Sequence, residues 1–170
     1  EANTFRRVMF GFGYLSKGIQ EAITTFFQSV FFLEIAQIPA VWVGNILIVK
    51  QVWDGAIDPL IGICSDNFST RFGRRKPWMF LFIWISALLW IAMWTYPKFI
   101  GEETWARILY FCVAIILYST FTSFVFVPYD SLVPDMSNSY HTRTFVVMVM
   151  QICLFVGTGS ASFLWSEIIQ

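Results

Sequence analysis

Five stretches of this chain, 8–35, 40–64, 78–96, 105–127 and 144–168, are 19 to 28 residues long and dominated by apolar side chains. None alternates apolar and polar residues strictly, as a strand half-facing lipid does. A helix needs roughly 20 apolar residues to cross ~30 Å of hydrocarbon. Within lipid it also satisfies its own backbone groups. The breaks around Pro39 and at 66–77, 97–104 and 128–143 are short, polar or proline-containing. The pattern predicts an all-α membrane protein with about five transmembrane helices, and no soluble domain or internal repeat.

Composition strengthens that reading. Of the 170 residues, 57% are hydrophobic and 13% charged, more apolar surface than one soluble core of this size can hide. Net charge is zero, so nucleic acid is not an expected partner, whereas the lipid bilayer is. Cys64, Cys112 and Cys153 lie in different apolar stretches, which is neither a disulfide framework nor metal-ligand spacing. The first apolar stretch contains Lys17 and Glu21 and lacks a small-residue cleavage site, so it is not a signal peptide. The chain begins without methionine and ends near an apolar run, which suggests a fragment of a longer protein.

Charge placement predicts orientation. Arg6, Arg7, Arg71, Arg74, Arg75, Lys76 and Arg143 fall on one side of the five spans, and only Lys98 and Arg107 on the other. Basic residues favour the cytoplasmic face. The N-terminus and the loop 66–76 of this multi-pass protein are therefore expected in the cytoplasm.

The second stretch contains the candidate chemistry. Lys50, Asp54 and Asp58 repeat at four-residue spacing and so share one helix face. Asp54 lies 14 residues beyond Ala40, about 21 Å along a helix and close to the bilayer midplane. A charge there costs ~2.5–3.5 kcal/mol on insertion scales, so the face must look into protein or water. Two carboxylates one turn apart offer hard oxygen ligands to a monovalent cation or a proton, and with neither bound they repel each other. The plainer alternative is a structural cluster in which Lys50 neutralises one aspartate. The first stretch adds Lys17, Gln20, Glu21 and Thr24, polar enough near mid-helix to line a cavity. Gln151 is the main polar residue early in the fifth, and the small residues 157–160 suit close helix packing.

Trp53-Asp54-Gly55-Ala56-Ile57-Asp58-Pro59 resembles the helix 2 signature of the glycoside–pentoside–hexuronide:cation symporters, major facilitator transporters typified by melibiose permease. The loop from Asp66 through Arg71, Gly73, Arg74 and Arg75 to Trp78 is similar to their cytoplasmic helix 2–3 loop. Val127-Pro128-Tyr129-Asp130-Ser131-Leu132-Val133-Pro134-Asp135 resembles their segment after helix 4, and His141-Thr142-Arg143-Thr144 lies where helix 5 begins. Residues 26–37 are also similar to the branch that contains the sodium-dependent lysophosphatidylcholine symporter.

This resemblance implies the N-terminal half of a twelve-helix fold, with about five helices of one six-helix bundle present and a C-terminal bundle as partner. It implies a symporter that couples sodium or proton movement to an organic solute, either a sugar or glycoside or an amphipathic lysophospholipid. Asp54, Asp58 and Ser123 match the cation-binding positions. Lys17, Gln20, Glu21, Thr24 and Gln151 would face the substrate cavity. Asp66, Arg71, Gly73, Arg74 and Arg75 would form a cytoplasmic gate. No cofactor and no metal beyond a sodium ion is implied.

The departures concern the solute. The family's sugar-binding acid in helix 1 corresponds to Gly18 and its helix 4 counterpart to Phe126. The basic residue of helix 5 is Met150, and the helix 2 arginine is Gln51, with Lys50 beside it. The competing reading is a truncated, non-transporting membrane protein that retains the half-fold. No Ser/His or His/Glu/His constellation supports an enzyme, and the sole histidine, His141, lies at a membrane edge.

Overall fold

The computed structural model describes residues 4–67, 76–96, 103–134 and 139–169. Five α-helices follow in order: α1 (Thr4–Val30), α2 (Ala40–Asn67), α3 (Lys76–Met93), α4 (Thr104–Asp130) and α5 (Tyr140–Ile169). A π-helical turn, Phe31–Ile35, continues from α1. Among the described residues the chain forms no strand. It divides into two compact units, one of Glu1–Val30 with Leu132–Gln170, the other of Phe31–Ser131.

In the first unit α1 and α5 run parallel at very close range. A Cβ added to Gly18 would lie 2.4 Å from the Leu154 carbonyl oxygen, and one on Gly157 would lie 2.5 Å from the Leu15 carbonyl. At Gly11 it would meet Val149 Cγ1 at 2.4 Å. Only glycine permits such contact, as in other membrane helix pairs where small residues let backbones touch. Around this seam Tyr14, Ala22, Val146, Met150 and Ala161 are buried. The hydroxyls of Thr158, Ser160 and Ser162 bond back to the carbonyls of Leu154, Gly157 and Thr158 in their own helix, which satisfies them in an apolar medium.

The second unit is built on α4, which packs against both α2 and α3. Its core is Phe32, Val43, Ile46, Met93, Ile108, Phe111, Ile115 and Tyr118. Phe31, Phe32, Trp94, Tyr96, Tyr110 and Phe111 add edge, tilted and stacked ring contacts at centroid separations of 5.1 to 6.1 Å. The Tyr110 hydroxyl donates to the Ala92 carbonyl at 2.8 Å, which gives that ring's polar end a partner. The turn into α2 is fixed locally. Ala36 and Ile38 donate to the carbonyls of Phe31 and Phe32, and Gln37 takes a left-handed φ of 54°. Trp42 and Val43 then donate to Pro39, which starts α2.

Contacts between α2 and α4 keep a nearly constant register. Trp42 meets Trp105 edge-on at 5.2 Å, Trp53 donates to Thr120, Ser119 donates to Asp54, and a Cβ on Gly62 would reach Val127. In every pair the α4 residue lies 63 to 67 positions after its α2 partner, so the helices run parallel and level.

α3 carries an exposed apolar stripe. Phe80, Trp84, Leu88 and Ile91 recur at helical spacing and are 59% to 70% exposed. A stripe of that size is costly in water and suits hydrocarbon or a further apolar helix. α4 and Tyr140–Phe163 of α5 are long and apolar enough to cross a membrane, and Trp78–Met93 is a shorter apolar helix. α1 and α2 have 27 and 28 residues and carry charges within their length.

Candidate cation site

The polar face of α2 meets hydroxyls of α4 within the second unit. Lys50 Nζ lies 2.8 Å from Asp54 Oδ2, a one-turn ion pair whose side chains are 23% and 18% exposed. Ser119 Oγ, on a buried residue of α4, donates to the other oxygen, Asp54 Oδ1. Both oxygens of Asp54 therefore have protein partners. Beside this group Trp53 Nε1 donates to Thr120 Oγ1 at 2.8 Å, which donates to the Ile116 carbonyl at 2.7 Å. The hydroxyls of Ser86 and Thr122 pair at 3.0 Å between α3 and α4. Polar side chains thus join all three helices through an otherwise apolar unit.

Asp58, one turn further on, differs sharply. Its Oδ1 is buried and accepts no hydrogen bond among the described residues. A buried carboxylate oxygen without a partner is costly, and each such oxygen asks for a donor, a proton or a cation. The next residue, Pro59, lies inside the helix and has no N–H. The Gly55 carbonyl consequently lacks the N–H donor four residues ahead that closes a regular helical turn. A Cβ at Gly55 would meet nothing within 4 Å, so its backbone is openly approached. One α2 turn thus offers a carboxylate oxygen and a backbone carbonyl, both hard donors.

Register gives the α4 residue that lies level with this turn. Asp54 pairs with Ser119 and Gly62 approaches Val127, each pair 65 positions apart. Midway between them, Asp58 is level with Ser123, which is half-buried. The family resemblance points to Ser123 and not to Ser119. Ser119 was not identified because the α2–α4 register is a tertiary property. The one available signal was that the two serines lie one turn apart, like the two aspartates.

The remaining expected site residues fall elsewhere. In the first unit Lys17 Nζ lies over the Tyr14 ring at 4.8 Å, and Thr24 donates to the Gln20 carbonyl at 2.8 Å. Glu21 and Gln151 are exposed. Gly18 and Met150 are buried, and Leu154 approaches Gly18 where a side chain would otherwise project. Of the expected gate, Asp66 is exposed at the end of α2, whereas Arg71, Gly73, Arg74 and Arg75 lie outside the described residues. Among the described residues no three His, Cys, Asp or Glu side chains converge as for a multivalent metal.

Residues 9–169 match the family model described as MFS/sugar transport protein. An uncharacterised symporter of Synechocystis, sll1374, is 30% identical over 141 residues, covering 81% of this chain and 26% of its own length. Sodium-dependent lysophosphatidylcholine symporter 1 of Xenopus tropicalis is 29% identical over 138 residues, with the same coverage of each chain. The uncharacterised symporter YjmB of Bacillus subtilis is 25% identical over 149 residues, 86% of this chain and 32% of its own. The chain spans about a quarter to a third of the length of these relatives.

Proposed function

The chain belongs to the MFS/sugar transport protein family, a family of membrane transporters, and from that premise we propose that it forms part of a cation-coupled symporter of an organic solute. The observation that carries the reading is Asp58, whose buried oxygen has no partner among the described residues, on the same α2 turn as the Gly55 carbonyl and level in register with Ser123. These three oxygen donors suit a sodium ion, and the carboxylate alone suits a proton. Sodium is favoured, because the carbonyl and the hydroxyl add oxygen ligands that a proton does not need. Several relatives are also named sodium-dependent symporters.

The mechanism follows from charge. A carboxylate without a cation in a low-dielectric helix face resists burial, whereas the same face with a bound cation is nearly neutral. Occupied α2 therefore packs more readily against neighbouring helices than unoccupied α2. In a rocking transporter this difference biases the equilibrium between outward-open and inward-open states. The solute adds its own contacts, assigned to Lys17, Gln20, Glu21, Thr24 and Gln151. No covalent step is required. The five helices belong to one six-helix bundle, with the N-terminus and loop 66–76 cytoplasmic and Asp66, Arg71, Gly73, Arg74 and Arg75 as the gate.

The solute is assigned to the amphipathic, lysophospholipid class rather than to sugars. Two positions that would present carboxylates to a sugar are Gly18, closed by the Leu154 carbonyl, and the half-buried Phe126.

The test is uptake of lysophosphatidylcholine, with melibiose in a parallel arm, by full-length protein in liposomes under sodium or proton gradients. Sodium-stimulated lipid uptake that falls at least tenfold in Asp58→Asn is expected. Stimulation that survives in Asp58→Asn would remove Asp58 from the ion site, and melibiose uptake alone would overturn the lipid assignment.

A further inference from the structure

We propose that the end of the α1–α5 seam where both helices begin binds the phosphate headgroup of an anionic membrane phospholipid, between Arg7 and Arg143. The site lies wholly in the first unit and owes nothing to the carboxylates of α2.

Both arginines continue the seam. On α1 the seam runs through Gly11, Tyr14, Gly18 and Ala22, and on α5 through Val146, Met150, Leu154 and Gly157. The preceding position of each stripe is basic, Arg7 four residues before Gly11 and Arg143 three before Val146. Gly11 approaches Val149 and Met150, so Arg7 is level with residues 145–146 and within one turn of Arg143. Two guanidinium side chains thus start from facing stripes of helices whose backbones nearly touch.

Their charge is not balanced by any carboxylate of the unit that the structure describes. The first acid on α1 is Glu21, 14 residues beyond Arg7 and about 21 Å along the helix, and α5 has none from Tyr140 to Phe163. Arg6 adds a third, exposed guanidinium, and the helix N-termini add partial positive charge of the same sign. Arg7 and Arg143 are half-buried, and Arg7 Nε is buried with no hydrogen-bond partner among the described residues. A buried donor left unmade is costly, and so are like charges crowded away from water. An anion with several acceptor oxygens relieves both costs.

Phosphate fits, because guanidinium forks pair with its oxygens at two points. The surroundings indicate that a lipid carries it. At the same level Phe5 and Met9 of α1 are 67% and 49% exposed, and Tyr140 and Phe145 of α5 are 78% and 41% exposed. Acyl chains cover these side chains while the headgroup reaches the arginines, whereas a free ion leaves them bare. The bound headgroup joins α1 to α5 just beyond the last glycine contact and so stabilises the pair.

The experiment is a melting-temperature titration of delipidated full-length protein in an uncharged detergent at low salt. The additions are dioleoylphosphatidylglycerol, dioleoylphosphatidylcholine and inorganic phosphate, at equal concentrations. Phosphatidylglycerol should raise the melting temperature saturably, the other two should not, and high salt should weaken the effect. In Arg7→Gln/Arg143→Gln the lipid concentration giving half the shift should rise at least tenfold, and in Arg7→Gln alone severalfold. Arg71→Gln/Arg74→Gln, which removes equal charge from the loop 66–76, should keep it within a factor of two. Equal shifts with both lipids overturn charge recognition, and an equal shift with inorganic phosphate overturns the lipid. A loss that follows the loop arginines rather than Arg7 overturns the location. The wild-type arms decide the ligand even where the double variant fails to fold, and Arg7→Gln alone then decides the place.

Discussion

Ser119 and Ser123 are one helical turn apart and chemically identical, yet their neighbours on α2 give them different work. Ser119 donates to a charged oxygen in a buried setting, a bond worth about 1.5–3 kcal/mol. Ser119→Ala should therefore lower thermal stability by about that amount and change sodium affinity little. Ser123→Ala should do the reverse, leaving melting unchanged and weakening sodium binding severalfold. Melting curves recorded with and without sodium separate the two. Lys50, Asp54 and Asp58 were legible in the sequence because a four-residue repeat of charge inside an apolar helix is conspicuous. Their partners were not, since the side chains that meet α2 come from a segment about 65 residues away and no local pattern encodes that register. Trp53 looked like part of a motif, and only the fold shows its indole N–H donating to Thr120.

Helix lengths were largely legible from hydropathy, because each apolar stretch corresponds to a helix long enough to hide its own backbone. The change at Phe31 was not. The first apolar stretch runs through residue 35 with no proline or glycine near its end, but the chain shifts at Phe31 into a π-helical turn and then to a left-handed Gln37. That geometry favours glycine, so Gln37→Gly should stabilise the turn by about 1 kcal/mol, read as a higher melting temperature. At the α1–α5 seam the small residues announced close packing, although the pairing of the first helix with the fifth is a property of the fold. Gly18→Leu should destabilise by about 1–3 kcal/mol or more, because the added atoms meet backbone rather than a movable side chain. Gly159→Leu, where nothing lies within 4 Å, should be close to neutral in the same melting assay.

On the scale of the whole molecule, the distribution of basic residues makes a topological prediction. In a background lacking Cys64, Cys112 and Cys153, a membrane-impermeant maleimide should label Phe99→Cys in intact cells. It should label Arg74→Cys only after permeabilisation. The opposite pattern would invert the protein in the membrane. The α1–α5 seam also bears on the protein's history. Because the Leu154 carbonyl fills the space beside Gly18, an acidic side chain cannot arise there by one tolerated substitution. A lineage carrying this seam must first displace α5, at a cost in stability, before selection for sugar recognition can act at that position. The seam works as an evolutionary ratchet. It leaves new specificity to be explored at the exposed polar positions, and directed-evolution libraries aimed at Glu21 and Gln151 should return more folded variants than libraries aimed at Gly18.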